Sequence, residues 1–266
     1  MDAITALAVA AYVSGTSELG TAVTTSYSRH PAALAQQALT VSAISDGRFT
    51  LGLGLSHKML VEDMLGLSYE KPAKHMREYL EVLYPLLNLS AVNFSGEQYQ
   101  TVLELDVPEA KPVPVLVAAL GPIMLGIAGR LSDGVTTWMT GPKTLAKLTI
   151  PTVTKSAADT PGNTAPRIVA GFPILLTDNE AKARAFLSTK LSMYGQLPSY
   201  KASLDREGVS SPADIALVGN EQVLHERLNY LNDIGVTDLR ANIMAPREEQ
   251  LQATLEFLQA YNQAQS

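Results

Sequence analysis

Short apolar runs alternate with stretches of helical apolar spacing along this chain, most clearly in residues 114–140. Val115–Ala119 is an unbroken apolar run, which is typical of a strand buried on both faces. Gly121-Pro122 ends the run, and three apolar residues at helical spacing then predict a helix: Ile123, Ile127 and Leu131. Asp133-Gly134 ends that helix before a second strand, Val135–Met139. The pattern predicts a β-α-β unit, the connection that joins parallel strands.

The same alternation continues on both sides of this unit. Six strands are predicted in all: Glu18–Val23, Thr50–Gly54, Val115–Ala119, Val135–Met139, Ile168–Leu176 and Leu239–Ile243. Further helices are predicted at Ile4–Val13, Pro31–Ile44, Pro72–Leu87, Asn179–Tyr194, Glu221–Ile234 and Arg247–Tyr261. We also expect an Asp178 helix cap, a hairpin in 92–107 and an irregular excursion with a short helix in 195–211. Alternating strands and helices indicate the α/β class, with a parallel sheet or a (β/α) barrel.

Length, charge and cysteine content narrow the function classes. A chain of 266 residues fits one large domain, and it is long enough to bury a substantial core. The net charge of -6 provides no basic surface for nucleic acid, so we expect a small-molecule substrate. No run is long and apolar enough to cross a membrane, and Asp2 argues against a signal peptide. The absence of cysteine fits a reducing compartment, and we expect a cytoplasmic protein.

If the fold is a barrel, its active site lies where the strands end at the C-terminal rim. The residues that leave the predicted strands are Thr24, Thr25, Ser26, Ser56, His57, Leu120, Gly121, Met139, Thr140, Thr177 and Met244. Almost none of them ionises, which disfavours an aldolase lysine, a pair of glycosidase carboxylates or a set of metal ligands. Hydroxyls, backbone amides, Met and Trp instead predict a pocket for a flat cofactor whose own ring does the chemistry.

Individual rim residues leave two interpretations open. The turn Leu120-Gly121-Pro122 is either an anion site at the start of a helix or an ordinary cap. His57 either transfers a proton to substrate or forms a hydrogen bond with a neighbouring loop. Gly52 and Gly54 either let a ligand approach the strand or allow tight barrel packing. We favour structural roles for three other residues: Arg29, His30 and Trp138.

Five stretches, taken in order, resemble the luciferase-like monooxygenase superfamily, most closely its coenzyme F420-dependent oxidoreductases: LGTAVTTSYSRHP, SDGRFTLGLGLSH, KPAKHMREYLEVLYPLL, VPVLVAALGP and LSDGVTTWMTGP. The resemblance implies a bacterial luciferase-like fold of the (β/α)8 TIM-barrel type. It further implies coenzyme F420 as the cofactor, with FMN as the alternative, and hydride transfer between the cofactor and a small organic substrate.

The resemblance also implies the residues of the cofactor site. Ala22-Val23 takes the place of a non-proline cis peptide that bulges against the ring, beside Thr24. The cofactor would further be lined by Gly52, Gly54, Ser56 and Met139. Its phosphate would be held by Leu120, Gly121, Pro122 and Ile123. His57 is the candidate catalytic residue, and no metal is implied.

The sequence departs from the family at its start. Family chains begin with a strand, a helix and a second strand, whereas this sequence opens at the helix that follows them. We therefore expect a single domain over residues 1–266 that is incomplete at its N-terminus, with about six of eight strands. An open sheet edge favours a homodimer. Two alternatives to the F420-dependent oxidoreductase remain: an FMN-dependent monooxygenase, and a non-catalytic flavin-binding or truncated barrel.

Overall fold

The computed structural model describes residues 1–265, and its elements alternate between strand and helix. The strands are β1 (Leu19–Gly20), β2 (Thr24–Thr25), β3 (Phe49–Gly54), β4 (Val92–Ser95), β5 (Gln100–Leu103), β6 (Val115–Ala118), β7 (Gly134–Trp138), β8 (Arg167–Leu176), β9 (Leu217–Gly219) and β10 (Asp238–Ile243). The α-helices are α1 (Ala3–Val13), α2 (Pro31–Ile44), α3 (Pro72–Leu87), α4 (Pro122–Leu131), α5 (Pro142–Thr144), α6 (Ile150–Ala158), α7 (Glu180–Leu191), α8 (Pro198–Glu207), α9 (Pro212–Ile215), α10 (Glu221–Asp233) and α11 (Glu248–Gln265). Leu60–Met64 and Leu145–Thr149 are π-helical. Within the described residues, no helix combines the length and the apolar character needed to cross a membrane.

Two compact units divide the chain. The first contains residues 1–119, 123–136 and 153–166. The second contains residues 120–122, 137–152 and the chain from Arg167 onward. β7 begins in the first unit and ends in the second, and each unit has paired parallel strands of its own.

β3 is the central strand of the first unit. It pairs in parallel with β1, β2 and β6, and β6 pairs in parallel with β7. The register places Leu51 opposite Val115 and Val117 opposite Val135. Every residue of β3 is buried, as expected of a parallel strand covered on both faces. Buried residues of α2 and α3 complete this core: Leu34, Leu39, Met76, Leu80 and Leu83.

The predicted strand Glu18–Val23 is interrupted in the structure. β1 and β2 both pair with β3, but the intervening residues Thr21–Val23 leave the ladder. The Thr21 hydroxyl replaces the missing ladder bonds, because it accepts from Gly52 N at 2.9 Å and donates to Gly52 O at 2.8 Å. The prediction of one continuous strand was wrong. The interruption depends on hydrogen bonds between residues 31 positions apart, which the local sequence does not show.

β8 is the central strand of the second unit. It pairs in parallel with β10 from Val169 to Ile174, and its C-terminal end pairs with β9. β9 was not predicted from the sequence, because it has only three residues. Helix α7 packs over the end of β8 through a buried cluster that includes Leu175, Leu187 and Val218. With β9 added, the predicted α/β class with parallel strands is confirmed.

Several local predictions can be compared directly with the structure. The hairpin in 92–107 is present as the antiparallel pair β4–β5, and the excursion 195–211 contains α8. The cap of α7 is Asn179 rather than Asp178, since the Asn179 side chain accepts from Lys182 N at 3.0 Å. His30 caps α2, and Arg29 forms an ion pair with Asp2, so both residues have structural roles as predicted.

Candidate cofactor site

The site in the first unit is built on the bulge formed by Thr21–Val23, which crosses the face of β3. A Cβ atom at Gly52 would lie 1.9 Å from Thr21 O, and one at Gly54 would lie 2.7 Å from Val23 Cγ2. Both glycines therefore make room for the bulge itself. The sequence left two interpretations of these glycines open, and the short Cβ distances agree with tight packing against the bulge. Contact of Gly52 or Gly54 with the cofactor stays a prediction.

The peptide bond Ala22-Val23 within this bulge is cis, as the resemblance implied. Directly after it, Thr24 is buried and pairs with Leu53, and Ser26 N donates to Gly54 O at 2.9 Å. The bulge is thus fixed to β3 on both sides, by Thr21 before it and by β2 after it.

A buried histidine that the sequence analysis did not single out supports this segment from α3. His75 Nδ1 lies 3.0 Å from Gln98 Oε1, and His75 Nε2 lies 2.9 Å from the Ser26 hydroxyl. Because an amide oxygen only accepts, Nδ1 carries the proton and Nε2 accepts from Ser26. Burial lowers the pKa of His75, which keeps the imidazole neutral. The only sequence signal was a histidine on the apolar face of a predicted helix.

Three rings form a stack next to this hydrogen-bonded chain. The Tyr27 ring lies parallel to the His75 ring at a centroid distance of 3.9 Å, and the Tyr69 ring follows at 5.3 Å from Tyr27. Within residues 1–265 the buried Tyr27 hydroxyl has no hydrogen-bond partner. Burial raises the pKa of both Tyr27 and Tyr69, so both phenols are protonated at neutral pH.

Ser56 and His57 follow the end of β3. Ser56 adopts φ 65°, and its carbonyl accepts from the Tyr69 hydroxyl at 3.4 Å. The His57 carbonyl accepts from Val61 N at 3.0 Å and so begins the short helical segment after β3. Its side chain is half-buried, and burial lowers the pKa of the imidazole. Proton transfer by His57 stays a prediction.

The predicted phosphate turn begins in the second unit. Leu120 O accepts from Arg206 Nη2 at 2.9 Å, and no atom lies within 4 Å of a Cβ built on Gly121. Pro122 is exposed and starts α4, as predicted. Ile123, which belongs to the first unit, has 69% of its surface exposed. Phosphate binding by these four residues stays a prediction.

Met139 differs from its predicted setting. Its side chain is buried in the cluster that contains Leu175 and Val218, so in this structure it is a core residue of the second unit. Its amide donates to Gly171 O at 2.9 Å, and its φ is 49°. Its side chain thus packs in the core, and contact of Met139 with the cofactor stays a prediction.

The second unit also contains a charged residue that the analysis of strand ends missed. Arg240 lies in the middle of β10 rather than at its end, and its guanidinium reaches across β8. Arg240 Nη2 donates to Thr137 O at 3.4 Å, and Cζ lies 4.8 Å from the centroid of the Trp138 ring. The sequence signal that could have identified Arg240 is a charged residue between Leu239 and Ala241 in a predicted strand. In the described residues, no group of three or more His, Asp or Glu is arranged to hold a metal ion.

The chain is similar in sequence to a known protein family and to individual members of it. A family model described as luciferase-like monooxygenase matches residues 1–238. A 5,10-methylenetetrahydromethanopterin reductase of Archaeoglobus fulgidus is 36% identical over 129 residues, which cover 48% of this chain and only 39% of that protein. The protein of the same name from Methanolobus tindarius is 28% identical over 269 residues, which cover 90% of this chain and 81% of that protein. The chain thus spans well under two thirds of the first of these relatives.

Solved structures share the fold at low sequence identity. An F420-dependent secondary alcohol dehydrogenase in complex with an F420-acetone adduct gives a TM-score of 0.80 at 17% identity, covering 97% of this chain and 83% of that one. The oxygenating constituent of 3,6-diketocamphane monooxygenase from Pseudomonas putida, in complex with FMN, gives 0.69 at 14% identity, covering 97% and 80%. At these identities the likeness shows the fold alone, and it agrees with the predicted fold type.

Proposed function

This chain belongs to the luciferase-like monooxygenase family, and on that premise we propose that it is an oxidoreductase that uses a deazaflavin or flavin cofactor. We favour coenzyme F420, because the ordered motifs resemble F420-dependent members and one structural neighbour holds an F420-acetone adduct. FMN is the alternative cofactor, since another structural neighbour binds it. The proposed reaction is hydride transfer between the cofactor and a small organic substrate.

The observation that carries the proposal is the bulge of Thr21–Val23 over Gly52 and Gly54. It is a rigid backbone surface, because Thr21 bonds to both backbone groups of Gly52 and Ser26 bonds to Gly54. A flat ring needs such a surface, which presents backbone and hydroxyl groups without charge. We therefore propose that Ala22, Val23 and Thr24 support the ring, with the two glycines behind them.

The residues around the bulge fit an uncharged heterocycle. When bound, the cofactor ring supplies the redox chemistry. The chain contributes a neutral His75 and two protonated phenols, so no formal charge lies in this ring stack. The buried Tyr27 hydroxyl, which lacks a partner among the described residues, provides one donor for a ligand. Near the end of β3, we propose that Ser56 lines the ring and that His57, neutral at pH 7, accepts or returns a proton.

A separate expectation concerns the cofactor phosphate. By resemblance it is held at Leu120, Gly121, Pro122 and Ile123, where free amides at the start of α4 attract an anion. The open space at Gly121 supports this expectation, as does the Arg206 guanidinium beside Leu120.

The purified chain should be titrated with F420 and with FMN, following the fluorescence of each cofactor. Reduced F420 should then be offered with small ketones and aldehydes, and reduced FMN with oxygen in an oxygen electrode. Binding of F420 with hydride transfer supports the proposal. Formation of an oxygenated product from reduced FMN and oxygen that requires the protein, unlike the autoxidation of free reduced FMN, selects the monooxygenase instead. Tight binding of either cofactor without turnover selects the non-catalytic binding protein. Failure to bind either cofactor overturns the proposal.

A further inference from the structure

Arg240 is a partly buried cation whose Nε is fully buried, and it has no carboxylate partner in the described chain. The titratable neighbours that act on it are the phenols of Tyr200 and Tyr194, which are uncharged at neutral pH, and burial lowers the pKa of Arg240. Asp238 precedes it by two residues on β10, but this carboxylate is held by Arg167 at 2.6 Å. Partial removal of a guanidinium from water without a partner anion is unfavourable, because charges taken from water are normally paired.

Three other arginines of the same unit pair with carboxylates, whereas the exposed Arg206 and Arg247 bond to Leu120 O and Gln250. Arg184 lies 3.2 Å from the Glu180 carboxylate, and Arg227 lies 4.0 Å from the same group. Arg167 pairs with Asp238. Arg240 differs from these three residues, although its Nε is fully buried. Its guanidinium is therefore available to an anion from outside the chain.

A glycine on the neighbouring strand β8 leaves space for the Arg240 side chain. A Cβ atom at Gly171 would lie 2.5 Å from Arg240 Nη2 and 2.4 Å from Thr137 O. Glycine at this position of β8 therefore allows the guanidinium to reach β7 and to stack on Trp138. Tyr194 contacts Trp138 edge-on, with centroids 6.3 Å apart, and Tyr200 contacts Tyr194 at 5.1 Å. The Arg240 guanidinium thus lies against Trp138, and the rings of Tyr194 and Tyr200 continue the aromatic cluster.

Unpaired polar atoms in the same unit support this interpretation. Within residues 1–265, seven buried polar side-chain atoms have no hydrogen-bond partner, and five of them lie in this unit: Thr137 Oγ1, Trp138 Nε1, Thr140 Oγ1, Ser203 Oγ and Arg240 Nε. Thr137, Thr140 and Ser203 are each at most 3% exposed. Two of the five atoms, in Trp138 and Arg240, can only donate. Buried donors without acceptors are rare in folded proteins, and an acceptor-rich group would satisfy them.

We propose that Arg240 and Trp138 form a binding site for an organic anion, a carboxylate or phosphate attached to an apolar body. The guanidinium binds the anion, the free N–H groups of Arg240 and Trp138 add donors, and the aromatic rings contact the apolar part. The anion belongs either to the substrate or to the cofactor. Its assignment to the substrate rests on the proposed function, whereas anion binding itself does not.

The single tryptophan of the chain makes the site directly observable. The fluorescence of Trp138 should be followed while benzoate or benzyl alcohol is added, without any flavin. These probes share a ring and differ in charge. We expect a saturable change with benzoate and at least about tenfold weaker binding of benzyl alcohol. Equal responses to the two probes overturn the proposal, and no variant is needed for that comparison.

Variants then assign the response to Arg240. Arg240→Gln should lose the preference for benzoate, and Arg240→Lys should keep a weakened preference, because a lysine keeps the charge but not the planar fork. Arg227→Gln is the matched control, since it removes the same charge from an arginine that already pairs with Glu180. Retention of the benzoate response in a folded Arg240→Gln protein contradicts the assignment.

The same variants distinguish the two sources of the anion. FMN and riboflavin share a ring, but only FMN carries a phosphate. If Arg240→Gln weakens FMN binding and leaves riboflavin binding unchanged, the anion is the cofactor phosphate. If both flavins bind as before and benzoate binding is lost, the anion belongs to the substrate. Benzoate binding without any flavin binding would support the anion site while contradicting the proposed function.

Discussion

At the scale of single residues, the candidate site depends on positions where the absence of a side chain matters. Gly52 and Gly171 perform the same task in different units, since each lets another part of the chain cross a strand that a Cβ atom would block. A Cβ atom at Gly52 would lie 1.9 Å from the backbone Thr21 O, and one at Gly171 would lie 2.4 Å from the backbone Thr137 O as well as 2.5 Å from Arg240 Nη2. The closer approach makes Gly52 the less replaceable of the two.

We expect Gly52→Ala to destabilise the protein and to abolish cofactor binding. The new methyl group would lie 1.9 Å from Thr21 O, so the bulge has to move. Overpacking of this kind costs about 3 kcal/mol in the free energy of unfolding, measurable by urea denaturation. Gly195→Ala is the control, because its Cβ would meet only ordinary contacts with Pro212 at 3.6 Å. A stable Gly52→Ala protein with unchanged cofactor affinity would show that the bulge has no part in binding.

His75 predicts a dependence of stability on pH. Burial depresses its folded-state pKa below the unfolded value of 6.5, so at acid pH the unfolded state binds the proton more readily. The contribution to stability is therefore fully present above about pH 6.5 and is lost as pH falls through the lower folded-state pKa. His75→Gln should flatten this part of the profile. The check is chemical denaturation at a series of pH values from neutral to mildly acidic, and an unchanged slope in His75→Gln would contradict the assignment.

The sequence revealed part of the site residue by residue. The hydroxyl-rich segment after the first strand and the glycines of β3 were recognised, because their residue types are unusual at strand ends. His75 and Arg240 were missed, since their importance comes from contacts across the fold. Ser26 is 49 positions from His75, and Thr137 is 103 positions from Arg240. Sequence spacing contains no information on such pairs.

At the scale of elements, apolar runs predicted the strands well where the strands are long and fully buried. β3, β6, β7, β8 and β10 all lie where the pattern placed them. β9 was missed because a three-residue strand has too few positions to show a period. The break between β1 and β2 was missed because it depends on Thr21 bonding to Gly52 rather than on the local sequence.

One element contact gives a prediction of its own. Glu207 at the end of α8 accepts from the backbone amides of Lys143 and Thr144, at 3.1 and 2.9 Å, and so caps the start of α5. Glu207→Gln replaces one acceptor oxygen by a donor that faces these amides. The expected cost is about 1–3 kcal/mol of unfolding free energy, measured by urea denaturation. Glu226→Gln, on the exposed face of α10, should change stability by less than about 0.5 kcal/mol. Equal effects of the two substitutions would show that the cap does not contribute.

At the scale of the whole molecule, family membership and local chemistry both support the proposed function. The family model covers residues 1–238 and includes both strands that carry the bulge and its glycines. The low charge content of 17% agrees with a site made of backbone, hydroxyls and rings. Arg240, just beyond the matched residues, is the exception.

The cofactor itself can be identified from the stability of the whole chain. A ligand that binds only the folded state stabilises it by about 2.7 kcal/mol at a concentration of 100 times Kd. For a chain of this size, that corresponds to a rise in Tm of roughly 5–10 °C. We expect F420 to produce this shift at a lower concentration than FMN, in thermal unfolding followed by circular dichroism. Riboflavin serves as the control for the ring without phosphate. A larger rise in Tm with FMN than with F420 would reverse the choice of cofactor. If none of F420, FMN and riboflavin raises Tm, the result would contradict a flavin-type site in this chain.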